Sequence, residues 1–129
     1  MIILDTHIWI WWVNESLRLT QRQKKIINEN QVNGLGISII SCWKIAKLVE
    51  KERLVLSIPV EEWLEKASEY PGVRVLELSI PILVESTKLI GFHNDPADQI
   101  IVATTKVNNS KLLTADGKIL KYSGVETLS

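Results

Sequence analysis

The sequence predicts an α/β protein, a three-layer α/β/α sandwich around a mainly parallel sheet. Three observations carry this. Short apolar runs such as "MIILD" read as strands, and this one is apolar at successive positions, as a strand covered on both faces must be. Segments of helical period separate such runs along the whole chain, which implies right-handed crossovers and helices on both sides of the sheet. At 129 residues, 46% of them hydrophobic and 23% charged, the chain has enough apolar surface for one core and not two, so residues 1–129 are expected to form a single domain.

The elements follow in order. "MIILD" is the first strand. Thr6 to Val13 then forms a helix with Thr6 as its cap, and Leu17 to Asn30 offers a second with Ile26 and Ile27 on its apolar side. "GLGIS" is a short strand after a glycine break. "SIISCWKIAKLVEKERL" places Ile40, Trp43, Ile45, Ala46, Leu48 and Val49 on a helix that leaves the core as its lysines and glutamates accumulate. "IPVEEWLEKASEY" has Pro59 near its start and acids in its first turn, where the helix dipole favours them. "GVRVLELS" alternates and is a strand, and "IPILVESTKLI" is another Pro-led helix. The tetrapeptide LSIP recurs at 56–59 and 78–81, but its flanks differ, so it is a reused boundary signal rather than a repeat. "DPADQIIVATTKV" is a buried helix, "KLLTAD" a strand, "GKILKY" a short helix and "GVETL" a last strand.

Composition narrows the function. Fifteen basic and fifteen acidic residues cancel, so no global positive field marks a polyanion binder, although Lys24, Lys25, Lys47, Lys51 and Arg53 could make a local basic rim or simply a solvated surface. "HIWIWWV" is too short to span a bilayer and lacks the flanks of a signal peptide, so a soluble cytoplasmic protein with no membrane partner is expected. The lone Cys42 lies in an apolar run and is a core residue.

The acids carry the chemistry. Asp5 ends the first strand and Asp116 follows "LLTA", so parallel strands bring both to one sheet edge. A crossover helix runs antiparallel to the strands, and therefore starts at that same edge with Asp95 and Asp98. Ligands in such sheets bind there. Asp95 also reads as a helix cap with Pro96 behind it, and Asp116 before Gly as a turn residue. Asp98, facing the way of Ile101 and Val102, is the better ligand. Carboxylates so gathered repel one another unless a cation is bound, and oxygen ligands without a partnering cysteine or an HExxH helix suit Mg²⁺ or Mn²⁺. Hydrolysis of a phosphate ester is the reaction such a site supports. Trp9, Trp11 and Trp12 could stack on bases or pack in the core, and His7 and His93 stand near the edge as caps or supporting groups.

In order and spacing, "ILDTHIWIWW", "SCWKIAKL", "HNDPADQIIVATT" and "LLTADGKIL" resemble the motifs of PIN-domain ribonucleases, specifically the VapC-like toxins of type II toxin–antitoxin systems, over nearly the whole chain. The resemblance implies an α/β/α sandwich that cuts RNA with Mg²⁺ or Mn²⁺ held by three or four acids, forms a homodimer and is silenced by a cognate antitoxin. It assigns catalytic and metal-ligand roles to Asp5, Asp98 and Asp116, makes Asp95 a supporting ligand, and makes Thr6 and Thr114 hydroxyl partners of the ligands. The family's second acid, a Glu in a "WEIA" stretch, is replaced by Lys44. A protonated lysine cannot ligate a hard cation and would pair with Asp5 and Asp98, so weak metal binding and reduced cleavage are expected. The other classes are an inactive module that binds antitoxin or RNA without cleaving, and a receiver-like domain. The latter requires paired acids after the first strand, which are absent.

Overall fold

Ile2, Ile3 and Leu4 can be covered on both faces only at the centre of a sheet, and the computed structural model, which describes residues 1–129, puts them there. Strands β1 (Ile2–Leu4), β2 (Leu35–Ser38), β3 (Val73–Leu76), β4 (Lys111–Leu113) and β5 (Thr127–Leu128) form one sheet in the order β3-β2-β1-β4-β5. Every neighbouring pair is parallel. Between them run α1 (Thr6–Val13), α2 (Gln21–Asn30), α3 (Ile39–Glu50), α4 (Val60–Ser68), α5 (Ile80–Ser86), α6 (Pro96–Val107) and α7 (Gly117–Leu120), with a 3₁₀ turn at 31–33.

The pleat of β1 divides the core. Ile2 and Leu4 face a large cluster with Trp9 of α1, Ile27 of α2, Ile45 of α3 and Trp63 of α4. Ile3 points the other way, onto Ile101 and Val102 of α6 and Ile119 of α7. These are the three layers, and the twofold period of the strand produces them. Gly36 pairs in register with Ile3, and a Cβ there would lie 2.6 Å from the Ile3 Cδ1. The missing side chain at 36 makes room for the branched one beside it.

Two boundaries differ from the sequence expectation. Helix α1 is capped by Asp5, whose carboxylate accepts the Thr6 N–H; Thr6 is itself the first helical residue. Helix α2 begins at Gln21 rather than Leu17, because Thr20 and Gln23 form a reciprocal capping box, and Leu17 is left exposed. Asp95 does cap α6, accepting the Asp98 N–H. Cys42 is half-buried against the larger cluster, and burial raises its thiol pKa above the ordinary value, helped by Glu77 and opposed by a backbone hydrogen bond.

The strand order fixes where a site can form. The chain steps outward from β1 to β2 to β3, then returns to add β4 on the opposite side of β1. The reversal lies between β1 and β4, and the carboxyl ends of those two strands deliver Asp5 and the Thr114–Asp116 segment.

Candidate active site at the carboxyl ends of β1 and β4

Asp5 leaves β1 still tied to the sheet, its N–H donating to the Leu113 carbonyl at 3.0 Å. Its carboxylate is 5% exposed and held by neutral donors. Oδ1 accepts the Thr6 N–H at 2.8 Å, and Oδ2 accepts the Thr114 hydroxyl at 2.7 Å. The same Thr114 oxygen accepts the Asp116 N–H at 3.0 Å, which links the two acids through one buried hydroxyl. Asp116 caps α7, Oδ1 taking the Lys118 N–H at 2.8 Å, so its link to Asp5 through Thr114 runs from its backbone N–H and not from its carboxylate.

Asp98 is positioned by the start of α6. The Asp95 carboxylate fixes the Asp98 N–H at 3.1 Å, Pro96 occupies the first turn, and the Asp98 side chain is carried inward to 5% exposure. There it meets a cation. Lys44 of α3 places Nζ 2.9 Å from Oδ1. His93 Nε2 stands 3.2 Å from Oδ2, within ion-pair range yet out of line for a hydrogen bond, so it adds little directional bonding.

The electrostatics follow from this geometry. Burial is the largest influence on Asp98 and holds its carboxyl above the ordinary carboxylate value; the Lys44 bond and charge pull it down, while Asp5 and Asp95 push it further up. Burial alone would lower Lys44, but the hydrogen bond to Asp98 and the fields of Asp98, Asp95 and Asp5 together outweigh it. The ammonium is therefore held charged, above its ordinary value. Lys44 thus senses three of the four expected acids, and Asp116 stands apart from that group.

The residues present do not suit a divalent cation. No group of three or more His, Cys, Asp or Glu side chains lies close enough to hold a metal ion. The point where such an ion would join Asp98 to the others is filled by an ammonium, a group with three donors and no acceptor.

The remaining sequence candidates separate clearly. Thr6 serves Asp5 through its backbone N–H, and its hydroxyl turns away to Ser41 on α3 at 2.9 Å. Ser41 was not singled out by the sequence; its only signal is that it lies one helical turn before Lys44. Trp9 is fully buried, edge-on to Trp63 with ring centroids 5.5 Å apart, and so belongs to the core, whereas Trp11 and Trp12 are half-buried at its margin. His7 is exposed and tilts against Trp11. The basic rim splits. Lys47, Lys51 and Arg53 line one cleft with Trp43 and Lys44, while Lys24 lines a different hollow on α2 and Lys25 pairs loosely with Glu29 at 3.9 Å.

Comparison with known proteins agrees with the fold. The model of the PIN domain matches residues 2–125. The chain is similar to Ribonuclease VapC22 of Mycobacterium tuberculosis, 32% identical over 122 residues that cover 94% of this chain and 91% of the relative. Among solved structures it is similar to VapBC2 from Rickettsia felis bound to a DNA fragment from their promoter, at TM-score 0.69 and 16% identity, covering 99% of this chain and 98% of that one. It is also similar to a toxin–antitoxin complex from Klebsiella pneumoniae, at TM-score 0.68 and 17% identity, covering 100% and 97%. At such identities the two structures establish the fold.

Proposed function

This chain belongs to the PIN-domain family, and on that premise we propose that it is the toxin of a toxin–antitoxin pair, a ribonuclease scaffold whose own hydrolysis of RNA phosphodiester bonds is held down by Lys44. One observation carries the reading: two buried carboxylates, Asp5 and Asp98, stand at the switch in strand order, and one is neutralised by the Lys44 Nζ at 2.9 Å. In this reading Asp5, Asp98 and Asp116 are the catalytic acids, Asp95 supports them and Thr114 orients Asp5. Mg²⁺ or Mn²⁺ becomes the cofactor only once an acid replaces Lys44. The 32% identical relative, named a ribonuclease, supports the activity, and the toxin–antitoxin complexes of the same fold support a cognate antitoxin as partner.

Self-association has its own support. Ile80, Leu83 and Val84 leave an apolar side of α5 uncovered, as a homodimer contact would require. No helix is long and apolar enough to cross a membrane, and we place the protein in the cytoplasm, working as one unit over residues 1–129.

The test is reversion. Lys44→Glu with Mg²⁺ or Mn²⁺ is expected to cleave RNA at least about 100-fold faster than the native chain, equivalent to roughly 2.7 kcal/mol of barrier. A well-folded Lys44→Glu protein that stays inert removes the ribonuclease reading. Full cleavage by the native chain removes the role given to Lys44. The Lys44–Asp98 pair also favours a second reading, a module that binds antitoxin or RNA without cutting; an inert revertant that still binds its partner tightly is that module.

A further inference from the structure

We propose that Ser41 is a positioning residue of the acid centre: its bond to Thr6 fixes the turn of α3 that delivers residue 44 to Asp98. This rests on the ribonuclease reading above and names a side chain that arranges the centre without touching the reacting groups.

The geometry begins at two strand ends. Strand β1 passes into α1 through Asp5 alone, and β2 passes directly into α3, whose cap Ser38 is the last residue of the strand. Because β1 and β2 are paired neighbours, the first turns of α1 and α3 start side by side. Each turn carries a fully buried hydroxyl, Thr6 at the first position of α1 and Ser41 at the third of α3. Deeper in a helix a hydroxyl can donate to the carbonyl four residues back, as Ser68 does to Leu64 and Thr105 to Ile101. At these two positions the residue four back is Ile2 or Ile37, which lies in a strand and not in the helix. The hydroxyls bond to each other instead, at 2.9 Å, and each would be buried unpaired without the other.

Helix α3 spans both sides of the core, with Ile45 in the larger cluster and Ile40 against the smaller. Its side chains bond to other helices at Ser41, which ties it to α1, and at Lys44, which ties it to α6 through Asp98. Residues three apart share a face of a helix, so the first bond sets the rotation and depth at which the second side chain enters the centre. Two apolar side chains of the same shape could replace the hydroxyl pair at little cost in stability. What they would not supply is direction, and a directional tie one turn before residue 44 is what the centre needs.

Acylation of lysine amines on the full chain, read by mass spectrometry, measures how closely Lys44 is held. Lys106 is the internal reference, since it too is partly buried and paired, with Glu85 at 2.9 Å, but lies at the contact of α5 with α6. Ser41→Ala and Thr6→Val should each raise the Lys44 rate about 5-fold and leave Lys106 unchanged. The double variant should do no more than either alone, because the same bond is lost in each. Thr6→Ser keeps the hydroxyl and should label as the native chain does. In the Lys44→Glu chain, Ser41→Ala should lower kcat about 10- to 100-fold with KM unchanged, as a loss of geometry rather than of binding requires. No rise at Lys44, an equal rise at Lys106, additive effects in the double variant or an unchanged kcat overturns the positioning role. The two proposals fail differently. If labelling follows this pattern and Lys44→Glu is inert, only the ribonuclease reading is wrong; if Lys44→Glu cleaves and Ser41→Ala leaves labelling or kcat untouched, only the role of Ser41 is wrong.

Discussion

Asp5 and Asp98 are equally buried carboxylates at one end of the sheet, and the fold accommodates them by opposite means. At the β1–β4 edge, Asp5 is satisfied by a backbone N–H and a threonine hydroxyl, neutral donors that leave its charge intact and lone pairs to spare. At the α3–α6 junction, Asp98 is satisfied by an ammonium that cancels its charge. The half of the site built on strands therefore holds its acid with neutral donors alone, and the half built on helices holds its acid with a cation. A single side chain on α3 separates the two conditions.

Removing that side chain should have the largest effect. Lys44→Met leaves Asp98 buried without its partner and is expected to cost about 3 kcal/mol in urea unfolding, since breaking a buried pair from one side strands the other charge. Lys44→Glu should cost more still in EDTA. Mn²⁺ at about 100 times its dissociation constant should then return roughly 2.7 kcal/mol, an effect the native chain should not show. Equal Mn²⁺ responses from the native and Lys44→Glu proteins would erase the contrast between the two acids.

Thr114→Val comes next. It removes the donor to Asp5 Oδ2 and the acceptor of the Asp116 N–H, and is expected to cost about 1–3 kcal/mol in thermal unfolding. A cost below this range would mean that Asp5 does not depend on its neutral donors. The smallest change should come from His93→Gln, within about 0.5 kcal/mol, because its Nε2 is not aligned on Asp98. A larger loss would assign to His93 part of the neutralisation here given to Lys44.

Most of the fold was legible because local pattern and tertiary role coincide. β1 is apolar at successive positions since it has helices on both sides, and the LSIP segments mark helix starts because Pro59 stands at the cap of α4 and Pro81 in the first turn of α5. Misreadings arose where two neighbours compete for one role. Asp5 and Thr6 can both cap a helix, and the carboxylate prevails at Asp5; Thr20 starts α2 because Gln23 returns its bond, a reciprocity no single residue displays. In the site, topology could bring the acids to one end of the sheet but could not say how closely their side chains approach, and Asp116 stands apart from the others. The resemblance to the family motifs led to Lys44 beside Asp98 across 54 residues, although the bond reaches Asp98 and not Asp5; the meeting of Thr6 and Ser41, 35 residues apart, had no such guide.

The bond between Thr114 and Asp5 closes a loop of 109 residues. Loops of that size close late, after local helices and hairpin-range contacts have formed. β1 lies at the centre of the sheet yet waits for β4 before its second edge is covered. A chain interrupted anywhere before residue 114 therefore possesses the first acid but not the hydroxyl that orients it. This bonded pair is one of the last parts that synthesis completes, so a chain still emerging from the ribosome carries Asp5 before the neighbour that orients it.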